Sequence, residues 1–378
     1  MKVVVAKESA PDERRVALIP DTVPRLQTMG MEVAVQAGAG ADSFYSDDQY
    51  RQAGAMVVDD AGALYEGAGV VLRVVAPTLE EADRIPEGAV VISHFQPLDR
   101  RDLLERYLAR RIAAFSMEYI PRTTLAQAMD SLSSQSTATG HQAVLMAAER
   151  LPKFFPMLMT AAGMIQPSTV LVVGAGVAGL QAIATARRLG GVVEVFDVRK
   201  AAKEETMSLG ATFIEVDEGV DAATAGGYAK EVSEEYKQKQ AALLGEHAAK
   251  ADVIITTALL FGRPAPKLIT EAMVEAMKPG SVIVDLAAER GGNCEITVPG
   301  EEVVRHGVRI LGHTDLASRM AVHASQMYAK NLQNFLKHLT ADGAFKFDME
   351  DEITAGSLIT RDGAIANVRI REAVQGAG

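Results

Sequence analysis

The sequence predicts an α/β protein of two doubly wound parallel-sheet domains with a cleft between them, and three observations predict it. Short β-branched runs alternate with helical periodicity, the alternation starts twice, and a glycine turn between a strand and a helix stands at the head of the second series. A chain of 378 residues is long enough for two or three domains, each with its own core.

In the first series, KVVVAKE, MEVAVQAG from Met31, GVVLRVV from Gly69, GAVVISHF from Gly88 and RRIAAFSME from Arg110 read as buried strands. Between them, Pro20 to Gly30 (PDTVPRLQTMG) and Pro97 to Ala109 (PLDRRDLLERYLA) read as helices; Asp21 stands near the start of the first and Gly30 where a terminating glycine belongs. The second series runs STVLVVGAGVAGLQAIATARRLG, GVVEVFDVRK, ATFIEVDEG, KADVIITTALLFG, GSVIVDLAAERGG and GVRILGHTDL, six strand candidates, the number a full dinucleotide-binding Rossmann domain requires. Ser318 to Leu339 then has apolar residues at helical spacing and no strand signal after it. It reads as a return helix packing on the first domain, so the expected division is 1–133 with 318–378, and 134–317. The tail from Thr340, acidic in DMEDE, is expected to be mobile.

Composition narrows the function. With 48% hydrophobic and 23% charged residues the chain is globular, and its net charge of −11 repels nucleic acid and anionic lipid alike. One cysteine, Cys294, and a start without signal-like character point to a reducing interior and a cytoplasmic location. No run of eighteen apolar residues occurs, so direct membrane insertion is not expected. Nucleophile-elbow, HExxH, paired CxxC and Walker patterns are all missing, and no metal is expected. Cys294 reads as a small loop residue. Of seven histidines, His94 and His313 end strands and are the two placed near a cleft.

The chemistry starts at GAGVAG. Gly174 permits the tight turn, Gly176 lets the backbone approach a pyrophosphate, and Gly179 lets the helix pack on the strand, with Ala175 and Val177 between them. The diphosphate rests on free N–H groups at the helix start. Asp197 ends the second strand, about twenty residues on, where its carboxylate accepts from the adenosine ribose. A carboxylate there repels a 2′-phosphate and favours NAD over NADP; Val198 and then Arg199 and Lys200 follow, and the two cations soften that preference.

Between the two series lies RTTLAQAMDSLSSQS, Arg122 to Ser136, with one cation, one carboxylate, two glutamines and six hydroxyls, more hydrogen-bonding capacity than a passive linker needs. This segment, KESAPDERRVALIP, AGAGADSFYSDDQY, MTAAG and the glycine turn together resemble the alanine dehydrogenase and pyridine nucleotide transhydrogenase family. RTTLAQAMDSLSSQS, TAGGYAKE, ITTALLFGRPAP, MKPGSVIVDLAAERGGNCE and AKNLQNFL are most similar to one branch, the NAD(H)-binding component, domain I, of the proton-translocating transhydrogenase α subunit. The resemblance covers essentially the whole chain.

It implies that Arg122, Gln127 and Asp130, with Ser133 beside them, reach the bound nicotinamide, Gln127 being the residue that acts in catalysis and Thr123, Thr124, Ala128 and Met129 adjoining the cofactor. It implies a mobile lid with Gly227 and Tyr228, and Gln240 and Leu259 lining the nucleotide site. The reaction implied is direct hydride transfer from NADH on this chain to NADP⁺ on a partner β subunit. The same resemblance implies that proton translocation belongs to membrane-spanning components, and that the chain forms a homodimer held peripherally on the cytoplasmic side of the inner membrane. The rival from the same family is alanine dehydrogenase, whose cleft lysine and histidine are replaced here by Val75 and Gln96, although its carboxylate-binding arginine is kept as Arg15. A non-enzymatic NAD-binding assembly subunit is the third reading.

Overall fold

The computed structural model describes residues 1–216, 234–259, 263–341 and 343–376. Its contacts divide the chain into Met1–Gln135 with Ala317–Gly378, and Ser136–Leu316. The opening KVVV is apolar at every position after the lysine because both faces of its strand are covered: Val3 and Val5 join one buried cluster with Leu72, Ile92 and Phe115, while Val4 joins another with Val71, Val91 and Ala114. Six strands make up the parallel part of this sheet, β1 (Lys2–Val5), β2 (Glu32–Gln36), β3 (Met56–Val58), β4 (Val70–Val75), β5 (Val90–His94) and β6 (Ala113–Ser116), of which only the edge strand β3 has no buried residue. All are parallel to their neighbours, in the order β6-β5-β4-β1-β2-β3. Only β3 has no counterpart among the strands read from sequence; MVV is too short to show a period.

Helix α1 (Ser131–Arg150) carries the chain from the first unit into the second. There β7 (Thr169–Val173) leads through helix α2 (Val177–Arg188) to β8 (Val192–Phe196), β9 (Thr212–Ile214), β10 (Val253–Thr256), β11 (Val282–Asp285), β12 (Glu302–Arg305) and β13 (Val308–Leu311). The sheet order is β9-β8-β7-β10-β11-β13-β12, parallel except for β12 against β13. This is the arrangement of a dinucleotide-binding domain with one antiparallel edge strand added. Strand order reverses between β7 and β10, and the two strand ends meeting there carry the glycine turn and Thr257.

The chain returns through α3 (Ala321–Leu339), three residues later than the sequence suggests. Leu316–Arg319 forms its own short turn, and Ser318 accepts from Arg14 N at 2.7 Å and donates to Asp12 O at 2.6 Å. Tyr328, Leu332, Phe335, Leu336 and Leu339, at three- and four-residue spacing, complete the first unit's core.

The expectation of a strandless, mobile tail is overturned. β14 (Leu358–Arg361) pairs antiparallel with β6 and is itself paired by β15 (Ala364–Ile365), with Leu358, Ile359 and Thr360 fully buried. The reason is physical: β6 would otherwise be a bare edge, and the apolar LIT run covers it. The acidic stretch supplies a cap, Asp351 accepting from Thr354 N at 2.7 Å, while Phe345 and Phe347 stack on Phe115 and Arg361 lies 4.1 Å over the Phe347 ring.

Candidate functional site

In the second unit, the glycines of the turn have three different reasons to be glycine. Gly174 sits at φ +101°, where side chains are strained, and a Cβ there would lie 2.5 Å from Thr257 Oγ1. At Gly179 a Cβ would stand 1.9 Å from Gly174 O, so helix and turn could not close. A Cβ on Gly176 would meet nothing within 4 Å. Packing therefore does not require that glycine, and the space in front of it is open to an approaching group. The first N–H groups of α2 follow Gly176, and they fit an anionic diphosphate. Ala175 is buried, whereas Val177 stands exposed on the first turn of α2.

Asp197 lies just past β8, and its two oxygens are both engaged. Oδ1 accepts from Arg199 N at 2.8 Å and Arg199 Nε at 2.9 Å; Oδ2 accepts from Ala175 N at 2.7 Å and Arg199 Nη2 at 2.8 Å. The structure thus joins Ala175, Asp197 and Arg199 directly, and Thr257 Oγ1 donates to Gly174 O at 2.9 Å on the neighbouring strand end. Val198 packs at the edge of the core cluster that contains Phe196.

Leu259, half-exposed, follows Ala258, whose backbone Asn293 holds from both sides, accepting from Ala258 N at 3.0 Å and donating to Ala258 O at 2.8 Å. Sequence reasoning stopped at Cys294 in GGNCE. The structural residue is its neighbour Asn293, while Cys294, in the connection that the sequence suggests, is buried in the core, and burial pushes its thiol up. Gln240 lies half-buried on helix Glu234–Lys250. His313 follows β13, half-buried. Gly227 and Tyr228, with the rest of TAGGYAKE, lie outside the described residues.

In the first unit, the polar segment is a short turn (Gln127–Met129) pinned from beneath. Ala126 and Met129 are buried in the core, which leaves Gln127 and Ala128 outward; Arg122 and Thr124 are also exposed. Ala128 O accepts from Asn331 Nδ2 at 3.0 Å and Asn334 Nδ2 at 3.2 Å, both on α3, and Ser134 Oγ donates to Asn331 Oδ1 at 2.7 Å. Asp130 caps α1, accepting from Ser133 N at 2.9 Å and Ser133 Oγ at 2.6 Å. The hydroxyl oxygen of Thr123 is buried with no hydrogen-bond partner among the described residues. The two asparagine clamps were not foreseen; an asparagine on an amphipathic helix carries no periodic signal.

Beside this segment, Arg15 gives Nε at 2.8 Å and Nη2 at 2.5 Å to the Glu13 carboxylate, and Nη1 at 2.9 Å to Gln135 Oε1. Gln96 has φ +49° and Glu118 accepts its N–H at 3.1 Å. His94 is 2.8 Å from Ser131 Oγ and edge-on to Tyr328; burial, and then the Arg15 charge, push its imidazole down to about 3. An unfolded chain protonates this histidine near 6.5, the folded one only near 3. The first unit therefore keeps this contribution to stability above 6.5 and loses it as pH falls through that window. Glu8, pushed up to about 7 mainly by burial, acts in the opposite sense, its contribution present below about 4.5 and lost as pH rises through 7. His94→Gln is expected to flatten the acid-side slope in urea melts run from pH 7 to 4; an unchanged slope would contradict the assignment.

Among the described residues no cluster of His, Cys, Asp and Glu could hold a metal ion, and no helix is long and apolar enough to cross a membrane.

Family models match the chain in two consecutive stretches: the alanine dehydrogenase/PNT N-terminal domain matches residues 4–139 and the alanine dehydrogenase/PNT C-terminal domain residues 143–368. An NAD(P) transhydrogenase subunit alpha chain of Rhodospirillum rubrum is 49% identical over 376 residues, covering 97% of this chain and 98% of that one. The crystal structure of a transhydrogenase from Sinorhizobium meliloti is 46% identical and superposes with a TM-score of 0.89, covering 97% of this chain and all of the other. An alanine dehydrogenase of Halomonas elongata is 29% identical over 380 residues, 99% of this chain and 96% of its own.

Proposed function

We infer, from the premise that the chain belongs to the alanine dehydrogenase/PNT family, that it is the NAD(H)-binding component of a proton-translocating transhydrogenase. In this reading it presents NADH for hydride transfer to NADP⁺ held by a partner β subunit. The observation that carries the choice within the family is Arg15: each of its three nitrogens donates to Glu13 or Gln135, so its charge is already paired with a carboxylate of the chain and an amino- or keto-acid carboxylate would have to compete with Glu13 for it.

When bound, NADH supplies a hydride from its nicotinamide C4. The chain's own residues do the rest. The N–H groups at the start of α2 take the diphosphate, and Asp197 takes the adenosine ribose. Gln127 offers both a donor and an acceptor, as a carboxamide requires, and its turn is fixed from below by Asn331 and Asn334, so that it orients the ring at little entropic cost. No proton is exchanged at the reacting carbon. That suits a site in which His94 stays neutral and Arg15 stays paired. Thr123, Thr124, Ser133, Leu259, Gln240, Gly227 and Tyr228 belong to the same proposed cofactor site.

The partners in this reading are the NADP-binding subunit, the membrane-spanning components that move the proton and hold this chain at the cytoplasmic face of the inner membrane, and a second copy of this chain. The hairpin Leu158–Thr160 with Gly163–Ile165 supports the last, because it leaves the cross-strand pair Met159 and Met164 exposed on one face. The test is direct. The purified chain should bind NADH yet oxidise none of it with pyruvate and ammonia, and gain transhydrogenation only when an NADP-binding component is added; turnover of pyruvate and ammonia by the chain alone would establish the dehydrogenase instead.

A further inference from the structure

We propose that Arg199 sets the ribose specificity of the nucleotide site by competing with the adenosine ribose for Asp197, a step that rests on the NAD(H) reading above. A carboxylate has about four lone-pair positions. On Asp197 the chain's own donors fill them in a particular pattern: each oxygen holds one backbone N–H, from Arg199 on Oδ1 and from Ala175 on Oδ2, and each holds one guanidinium N–H, from Arg199 Nε and Nη2 respectively. The backbone donors belong to the turn and stay. The side-chain donors form a planar fork across the two oxygens. Two adjacent ribose hydroxyls present the same fork of donors, so binding is an exchange in which two N–H groups leave and two O–H groups take their places.

The released guanidinium remains tethered two residues from Asp197, within reach of a phosphate on the ribose 2′ position. A 2′-phosphorylated ribose has lost one of the two hydroxyl donors and brings negative charge towards Asp197, but it also meets a cation freed by the same exchange. Arg199 therefore weakens the preferred ligand, which must displace it, and favours the disfavoured one, which can recruit it. The ion pair is partly solvent-exposed, with 27% of the arginine side chain accessible, so the competition is modest in size.

The experiment measures dissociation constants by nicotinamide fluorescence for NADH, NADPH and reduced nicotinamide mononucleotide, which lacks the adenosine ribose, in the wild-type chain, Arg199→Ala and Arg199→Lys. Arg199→Ala is expected to tighten NADH about five-fold, to weaken NADPH, and to leave the mononucleotide unchanged. Arg199→Lys, a point charge without the fork, should tighten NADH while keeping the NADPH affinity. Weakened or unchanged NADH binding in Arg199→Ala, or an altered mononucleotide affinity, overturns the proposal while wild-type binding of NADH leaves the wider reading intact. Failure of the wild-type chain to bind NADH overturns both.

Discussion

Gly179→Ala will cost the second unit about 3 kcal/mol or more of stability and abolish measurable NADH binding, whereas Gly176→Ala will leave the melting temperature unchanged and still weaken NADH at least about ten-fold. The contrast comes from what each added methyl meets. At Gly179 it would lie 1.9 Å from the Gly174 carbonyl oxygen, a backbone atom with no freedom to withdraw, so the helix must shift away from β7 and take its N–H groups with it. At Gly176 the methyl enters open space and disturbs nothing already folded. Only a ligand backed against the turn would feel it. Thermal unfolding and fluorescence titration of the two variants separate a structural glycine from a binding one, and equal melting temperatures for both would refute the packing argument.

Gln127→Asn is expected to slow hydride transfer to a partner-held NADP⁺ about a hundred-fold while changing the NADH dissociation constant less than about three-fold. Shortening the side chain by one methylene keeps the amide but withdraws it by roughly an ångström. The turn cannot follow, because Ala126 and Met129 are buried and the Ala128 carbonyl is held by two asparagines. In the proposed site the diphosphate and ribose are held by the second unit, so the loss should appear in the rate measured with NADH saturating. Equal losses in rate and affinity would mean that Gln127 binds without orienting.

What could be seen in the residues and what could not divides along a physical line. Parallel strands in a sheet covered on both faces announce themselves as short apolar runs, and β1, β2, β4 to β11 and β13 stood where they were expected, while GAGVAG with Asp197 came with its own spacing. The strands missed in the two large sheets were short or at an edge: β3, the antiparallel β12, the two-residue β15, and β14, whose LIT run followed an acidic stretch that looked like a solvated tail. In the site, residue types were readable but their partners were not. The clamp from Asn331 to Ala128 spans 203 positions, and Asn293 reaches 35 positions back to Ala258. Nor did the DVR sequence disclose that Arg199 folds back onto the aspartate two residues before it. Such pairings depend on which elements the fold makes neighbours, and periodicity carries no record of them.

The pairing of β14 with β6 also fixes an order of events at the ribosome. Ser136–Leu316 has every strand of its own sheet by the time residue 311 has been made, so this middle stretch can close while synthesis continues. The opening 135 residues must wait, one sheet margin uncovered, until Leu358–Arg361 emerges and seals it. A nascent chain halted before residue 358 would carry a finished middle and an unfinished beginning.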